Sequence, residues 1–172
     1  MPRYFFALWP DAYVRERIIA YRSTAAPAGK LTRTQNLHIT LLFLGMLNTN
    51  QVAAVISAAM NIKRPDFSLK LNQYGHFRKS KVCWLGMQKI PELLVLLHND
   101  LLACVQKIPL SVDCRPYHPH LTLARKSPPV KKRTIAPIDW SVKQFVLIES
   151  TDTPDGVHYR VIKNFPLQTL EE

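Results

Sequence analysis

The chain has 172 residues, 47% of them hydrophobic, which is enough for one domain with a sizeable core. Its 23 Lys+Arg against 12 Asp+Glu leave a formal charge of +11, which favours a polyanionic partner, nucleic acid before membrane. Three cysteines without C-x-x-C spacing argue against a disulfide framework or a cysteine zinc site and point to a reducing compartment, the cytoplasm.

In chain order, RYFFAL (residues 3–8) predicts a short buried strand, and Pro10-Asp11 closes it and opens a helix. The apolar run is too short for a signal peptide. Val14, Ile18 and Tyr21 recur at helical spacing to about residue 22. TAAPAGK is a loop, and LHITLLFLG from Leu37 predicts a second strand stopped by Gly45. The next helix carries Val52, Val55, Ile56, Ala59 and Met60 on one stripe, with Thr49 or Asn50 as its cap. FSLKL and KVCWLG are strands. Residues 91–106 make the most apolar helix, with Leu94, Leu97, Leu101 and Val105 aligned. His98, Asn99 and Asp100 interrupt it too soon for a membrane span. HLTLA is a strand, RKSPPVKKRTIAP a basic, proline-broken loop, and two strands near 141–149 and 157–163 follow.

Strands and helices without steady β-α alternation predict an α+β fold. A weak internal repeat lies in this order: strand 3–8, helix 12–22 and strand 37–44 match strand 82–86, helix 91–106 and strand 119–125. The third element of each carries the same tetrapeptide type, HITL at 38–41 and HLTL at 120–123. Chance would supply on the order of 0.04 H-x-T-L tetrapeptides in such a chain. A single copy reads as a histidine bonded to backbone and a threonine kept for β-propensity. Two copies at matching places point to a shared site, brought together at a cleft by a pseudo-two-fold. In YHPHLTLAR (117–125), strict alternation puts His118, His120, Thr122 and Ala124 on one face and Pro119, Leu121 and Leu123 on the other.

Two such strands supply two imidazoles and two hydroxyls around one phosphate-sized group. Displacement at phosphorus needs a base on the attacking oxygen and an acid on the leaving oxygen, and histidine serves as either near neutral pH. The threonines can donate to non-bridging oxygens as charge develops. The chemistry demands no metal, and the residues alone do not say which histidine is the acid.

With their flanks, these motifs resemble the two-histidine phosphoesterases, specifically the bacterial RNA 2′,3′-cyclic phosphodiesterases, the LigT-like proteins also called 2′-5′ RNA ligases. RYFFALWPD, NLHITLLFLG, VCWLG, RPYHPHLTLAR and HYRVIKNFPL are similar to that family's segments and cover nearly the whole chain. The resemblance implies a bilobal α+β domain over 1–172, with two antiparallel-sheet lobes and flanking helices about a central cleft. It implies His38 as proton donor, His120 as proton acceptor, and Thr40 and Thr122 as phosphate contacts. Arg125 sits where the family keeps an arginine, yet alternation puts it on the face opposite His120, so the chain must turn there. Water would attack phosphorus, the 3′ oxygen would leave, and a 2′-phosphomonoester would remain. Run backwards, the same site would join such an end to a 5′-hydroxyl. The expected partner is RNA ending in a 2′,3′-cyclic phosphate, tRNA fragments included, acted on by a monomer with no cofactor and no membrane.

Other residues offer alternatives. His118 and His120 form a strand H-x-H able to bind zinc, but His76, His98, His158 and the cysteines have no telling spacing for a third ligand. His98, inside an apolar helix, reads as a satisfied core residue. Tyr117, Phe5, Trp9 and Phe77 are core aromatics or base-stacking ones. Arg78, Lys79 and Lys81, and then Lys126, Lys131, Lys132 and Arg133, are candidates for an RNA path, the second cluster favoured because it follows the motif. The rivals to a phosphodiesterase are an RNA-binding module whose histidines do no chemistry and a zinc hydrolase.

Overall fold

The first strand, β1 (Arg3–Leu8), buries every residue after Arg3, the pattern of a strand covered on both faces, and it lies in the interior of the sheet. Residues 1–169 are described by a computed structural model; Leu170, Glu171 and Glu172, the end of the expected domain, lie outside them. After β1 come α1 (Ala12–Ala25), β2 (Lys30–Leu31), a 3₁₀ turn (Thr34–Asn36), β3 (Ile39–Met46), α2 (Thr49–Ala59) and β4 (Phe67–Phe77). β5 (Val82–Gly86), α3 (Glu92–Val105), β6 (Leu121–Arg125), β7 (Arg133–Val142), β8 (Gln144–Thr153) and β9 (Gly156–Pro166) follow.

The strands pair antiparallel in the order β7-β4-β5-β6-β3-β1-β8-β9, with β2 on a further stretch of β6. One register pair, Ile39 with Leu121, joins β3 to β6. Each side of that pair is a four-stranded half, β3-β1-β8-β9 and β6-β5-β4-β7. Ile39 follows His38 and Leu121 follows His120, so the residues that meet occupy equivalent places in the two H-x-T-L motifs. A two-fold between antiparallel strands pairs equivalent residues in this way. The weak sequence repeat is therefore a structural one, β1-α1-β3 against β5-α3-β6.

The helices lie on one face of the sheet. Val14 and Ile18 of α1, Val55 and Ala59 of α2, and Leu94, Leu97, Leu101 and Val105 of α3 share one core with Phe6, Leu8, Leu41, Leu85 and Leu121. Fully burying each large apolar side chain contributes roughly 1.5–3 kcal/mol, so this face holds the fold together. The opposite face carries a smaller apolar cluster, Phe5, Ala7, Val146 and Ile148, with Trp9 and Tyr159 packed on it. The motif histidines belong to this second face.

Several boundaries differ from the sequence expectations for local reasons. The cap of α2 is Asn48, not Thr49 or Asn50, because Gln51 stands three residues on and the two side chains cap each other's backbone N–H at 2.9 Å. β3 runs through Gly45 to Met46; Gly45, at φ 74°, sits beside a register shift opposite Tyr4 and bends the strand without ending it. β4 continues six residues beyond FSLKL, to Phe77. The expected loop ends early, since β7 begins at Arg133. Its Pro137 is accommodated because β7 is an edge strand and the register jumps there from Leu71–Ile138 to Gln73–Thr134.

Candidate active site

The two histidines are held alike. Nδ1 of His38 donates to the carbonyl of Asn36 at 2.7 Å, and Nδ1 of His120 donates to the carbonyl of His118 at 2.7 Å. In each motif the acceptor lies two residues upstream. A carbonyl can only accept, so Nδ1 carries the hydrogen and Nε2 is the atom left for proton transfer. Nε2 of His38 lies 3.0 Å from Oγ1 of Thr40, a local contact of residues two apart on one strand face. Asn36 is buried and donates from Nδ2 to the carbonyl of Val157 at 3.2 Å, tying the first motif to the start of β9.

Aromatic rings fix both imidazoles. Trp9 stacks on His38 with centroids 5.6 Å apart at 17°, and Phe5 and Tyr159 meet it at 4.9 and 5.5 Å. Phe77 meets His120 edge-on at 4.9 Å and packs against Trp84 at 5.3 Å. Trp84 lies over Gly75 and Gly86, where a Cβ would come within 2.4 and 2.8 Å of its ring atoms. Only glycine permits that close approach.

Burial pulls the pKa of His38 down to about 4; the Asn36 carbonyl opposes the shift, and the charges of Arg125 and His120 add to it. His120 is lowered by the same causes, burial first, with the His118 carbonyl opposing and Arg125 and His118 adding. Both imidazoles are therefore neutral at pH 7 in the free protein. This couples to stability. His38 takes its proton at about 4 when folded and near its ordinary 6.5 when unfolded. The stability it contributes is fully present above 6.5 and is lost as pH falls through 4, at most about 3 kcal/mol. A His38→Gln variant should accordingly lose less stability than the parent between pH 7 and pH 4 in urea unfolding. Equal losses in the two proteins would contradict the burial of that imidazole.

Arg125 reaches the histidine side by a bulge. Cys83 pairs with Ala124 and Trp84 with Thr122, so Leu123 is an extra residue in β6. Leu123 and Ala124 are consequently both fully buried, and Arg125 returns to the face of Thr122. Strict alternation therefore misplaces both Ala124, which joins Leu123 in the core, and Arg125. A cleft of about 160 Å³ is lined by His38, Thr122, Arg125, Asn36 and Tyr159, together with Lys30, Thr32 and Arg33. A larger open groove of about 650 Å³ lies elsewhere, along Tyr13, Lys70, Asp139 and Trp140. It has no histidine, and its Lys70 and Asp139 pair at 2.8 Å.

β3 and β6 part after their single pair, and side chains take over where strand bonds stop. Tyr117 donates its hydroxyl to the carbonyl of Thr40 at 2.9 Å, and Nδ1 of His98 donates to the carbonyl of Leu41 at 2.7 Å. The two rings stack at 4.1 Å and 7°. His98 is the satisfied core histidine its apolar helix suggested. Tyr117 does more than fill the core, because it binds the segment before the second motif to the strand of the first. No residue pattern announced that contact. Trp9, read from sequence as a core or base-stacking aromatic, packs on His38 itself. Tyr159 beside it, and Lys30 and Arg33 in the cleft, went unassigned by sequence; each lies far from the motifs or in a loop.

The other candidates divide. His118 is exposed, and among the described residues no three His, Cys, Asp or Glu side chains gather closely enough to hold a metal ion. Arg133 turns to the helix face, its guanidinium 4.6 Å from the Tyr74 ring and within 3.4 Å of the Tyr21 hydroxyl. The loop before it is tied back at Ser127, whose N–H donates to Lys81 at 3.0 Å and whose carbonyl accepts from Nε2 of His76 at 2.8 Å. Arg133 is thus no part of a path along the cleft.

A model of the 2′-5′ RNA ligase superfamily matches residues 9–154. The chain is 36% identical over 171 residues to the RNA 2′,3′-cyclic phosphodiesterase of Escherichia coli, covering 96% of each. Its fold is similar to the crystal structure of E. coli LigT in apo form, with a TM-score of 0.88 at 34% identity, covering 98% of this chain and 99% of the other. The structure of E. coli LigT complexed with 3′-AMP gives 0.91 at 32% identity, covering 98% and 100%. A family match over most of the chain, full-length sequence similarity and one shared fold agree with the paired histidine motifs: the chain belongs to the 2′-5′ RNA ligase superfamily.

Proposed function

We propose that the protein hydrolyses 2′,3′-cyclic phosphodiester ends of RNA to 2′-phosphomonoesters by two-histidine acid–base catalysis, and that the same site runs in reverse as a 2′-5′ ligase. The observation that carries this is the matched pair of imidazoles, each anchored through Nδ1 to the carbonyl two residues before it. Nε2 of His120 takes a proton from water as its oxygen bonds to phosphorus. The bond from phosphorus to the 3′ oxygen breaks, and His38 gives that oxygen its proton. Thr40, Thr122 and Arg125 donate to the non-bridging oxygens. His38 is neutral in the free protein, so it gains its proton with the anionic substrate, whose charge opposes the lowering by burial and Arg125.

The family relationship to a named RNA 2′,3′-cyclic phosphodiesterase supports the substrate class. The proposal extends to tRNA fragments as substrates and to a monomer in the cytoplasm. Free Cys83, Cys104 and Cys114 favour that compartment, and no helix among the described residues is long and apolar enough to cross a membrane. Protein stripped with EDTA should open the cyclic end of an RNA oligonucleotide as fast as untreated protein. Loss of turnover on stripping, restored by zinc, would overturn the mechanism. Binding without turnover would leave an RNA-binding module.

A further inference from the structure

Besides Arg125, the cleft carries two cations that ring opening does not use, Lys30 and Arg33. Lys30 and Arg125 stand directly opposite each other where β2 pairs with β6. Like charges on a directly opposed cross-strand pair destabilise it, and a strand of two residues has little to set against that. The geometry is nevertheless enforced. Gly29 adopts φ +109°, and a Cβ there would come within 2.4 Å of the Arg125 carbonyl. Beyond β2, the N–H of Thr32 donates to Leu123 at 2.9 Å, and the carbonyl of Thr32 accepts from the buried Arg22 of α1. Arg33 then lays its guanidinium against Gly156, which closes the turn between β8 and β9 at a φ of +114°.

Lys30, Arg33 and Arg125 line one cleft with His38. Among the described residues, none of the three makes an ion pair or a side-chain hydrogen bond. Elsewhere Arg3, Arg64, Lys70, Arg115 and Arg160 all have carboxylate partners. Asp155 shares the cleft, but its carboxylate lies beyond 4.0 Å from these cations. With Arg125 committed to the cyclic phosphate, Lys30 and Arg33, on a segment pinned at both ends, remain as a standing site for a second anion.

We infer that Lys30 and Arg33, beside Arg125, bind the 5′-phosphate of the nucleotide whose cyclic phosphate meets the histidines. The inference rests on the proposed function for the identity of the nucleotide. An RNA that ends in a 2′,3′-cyclic phosphate has nothing on its 3′ side, so the next phosphate is the one on the 5′ oxygen. The subsite therefore favours an RNA end, or a 5′-phosphorylated nucleotide, over a cyclic nucleoside phosphate with a free 5′-hydroxyl.

Binding of product-like ligands tests this without any turnover. Adenosine 2′,5′-bisphosphate and adenosine 2′-monophosphate are titrated into the full chain by calorimetry at low salt. The parent should hold the bisphosphate about tenfold tighter, the size of two exposed charge-assisted contacts, and the ratio should shrink as salt rises. In the Lys30→Gln/Arg33→Gln double variant the ratio should fall to about one, the monophosphate serving as internal reference for an intact site. A ratio near one in the parent, or an unchanged ratio in the variant, overturns the subsite. Failure of the two-histidine chemistry would instead appear as absence of turnover and would leave the ratio untouched.

Discussion

Replacing His38 or His120 by alanine should each lower kcat for cyclic phosphate opening by about 10²–10⁴-fold, the range a positioned general acid or base supplies. The expectation follows from the Nε2 atoms. Each Nδ1 is spent on a carbonyl, so each ring has one atom with which to move a proton, and removing the ring leaves no substitute at that place. The two losses should not add, because acid and base act in one step. His120 is the cleaner test of the pair, since among the described residues its ring meets one aromatic ring, Phe77, whereas His38 is boxed by Phe5, Trp9 and Tyr159. Near-parental kcat in either variant, with thermal unfolding unchanged, would remove that histidine from the mechanism.

Arg125→Gln should lower kcat/KM by about 10²-fold, as expected when a charged donor to developing negative charge is lost. The same variant has a spectroscopic signature. Arg125 lowers the pKa of both His38 and His120 through its charge, so neutralising it should move both imidazole titrations to higher pH by NMR. An arginine that is merely solvated would leave rate and titrations where they were. Parental kinetics with unmoved histidine resonances would therefore return Arg125 to the surface.

Much of this site was legible because its chemistry is local in sequence. A histidine and a threonine two apart on a strand share a face whatever the fold, and HITL and HLTL each state that pattern. The apolar stripes of Val14 and Ile18, and of Leu94, Leu97, Leu101 and Val105, fixed two helices for the same reason. Contacts made across the chain were not legible. The extra residue at Leu123 is invisible without its partners Cys83 and Trp84, so alternation alone put Arg125 on the wrong face. Nothing near Tyr117 says that its hydroxyl finds Thr40, 77 residues away. Arg133 looked like one more cation in a basic loop, but Tyr21 and Tyr74 give it a place on the helix face. Composition predicts that cations are present; only the fold says which face receives them.

The central claim is that two histidines open a 2′,3′-cyclic phosphate by in-line attack of water on phosphorus. The direct measurement is hydrolysis in ¹⁸O-labelled water of an RNA oligonucleotide with that end, with phosphorus NMR and mass spectrometry of the product. The account predicts a single 2′-phosphomonoester that carries one solvent oxygen and leaves a free 3′-hydroxyl. A 3′-phosphomonoester, a mixture of the two isomers, or an unaltered cyclic end would contradict it.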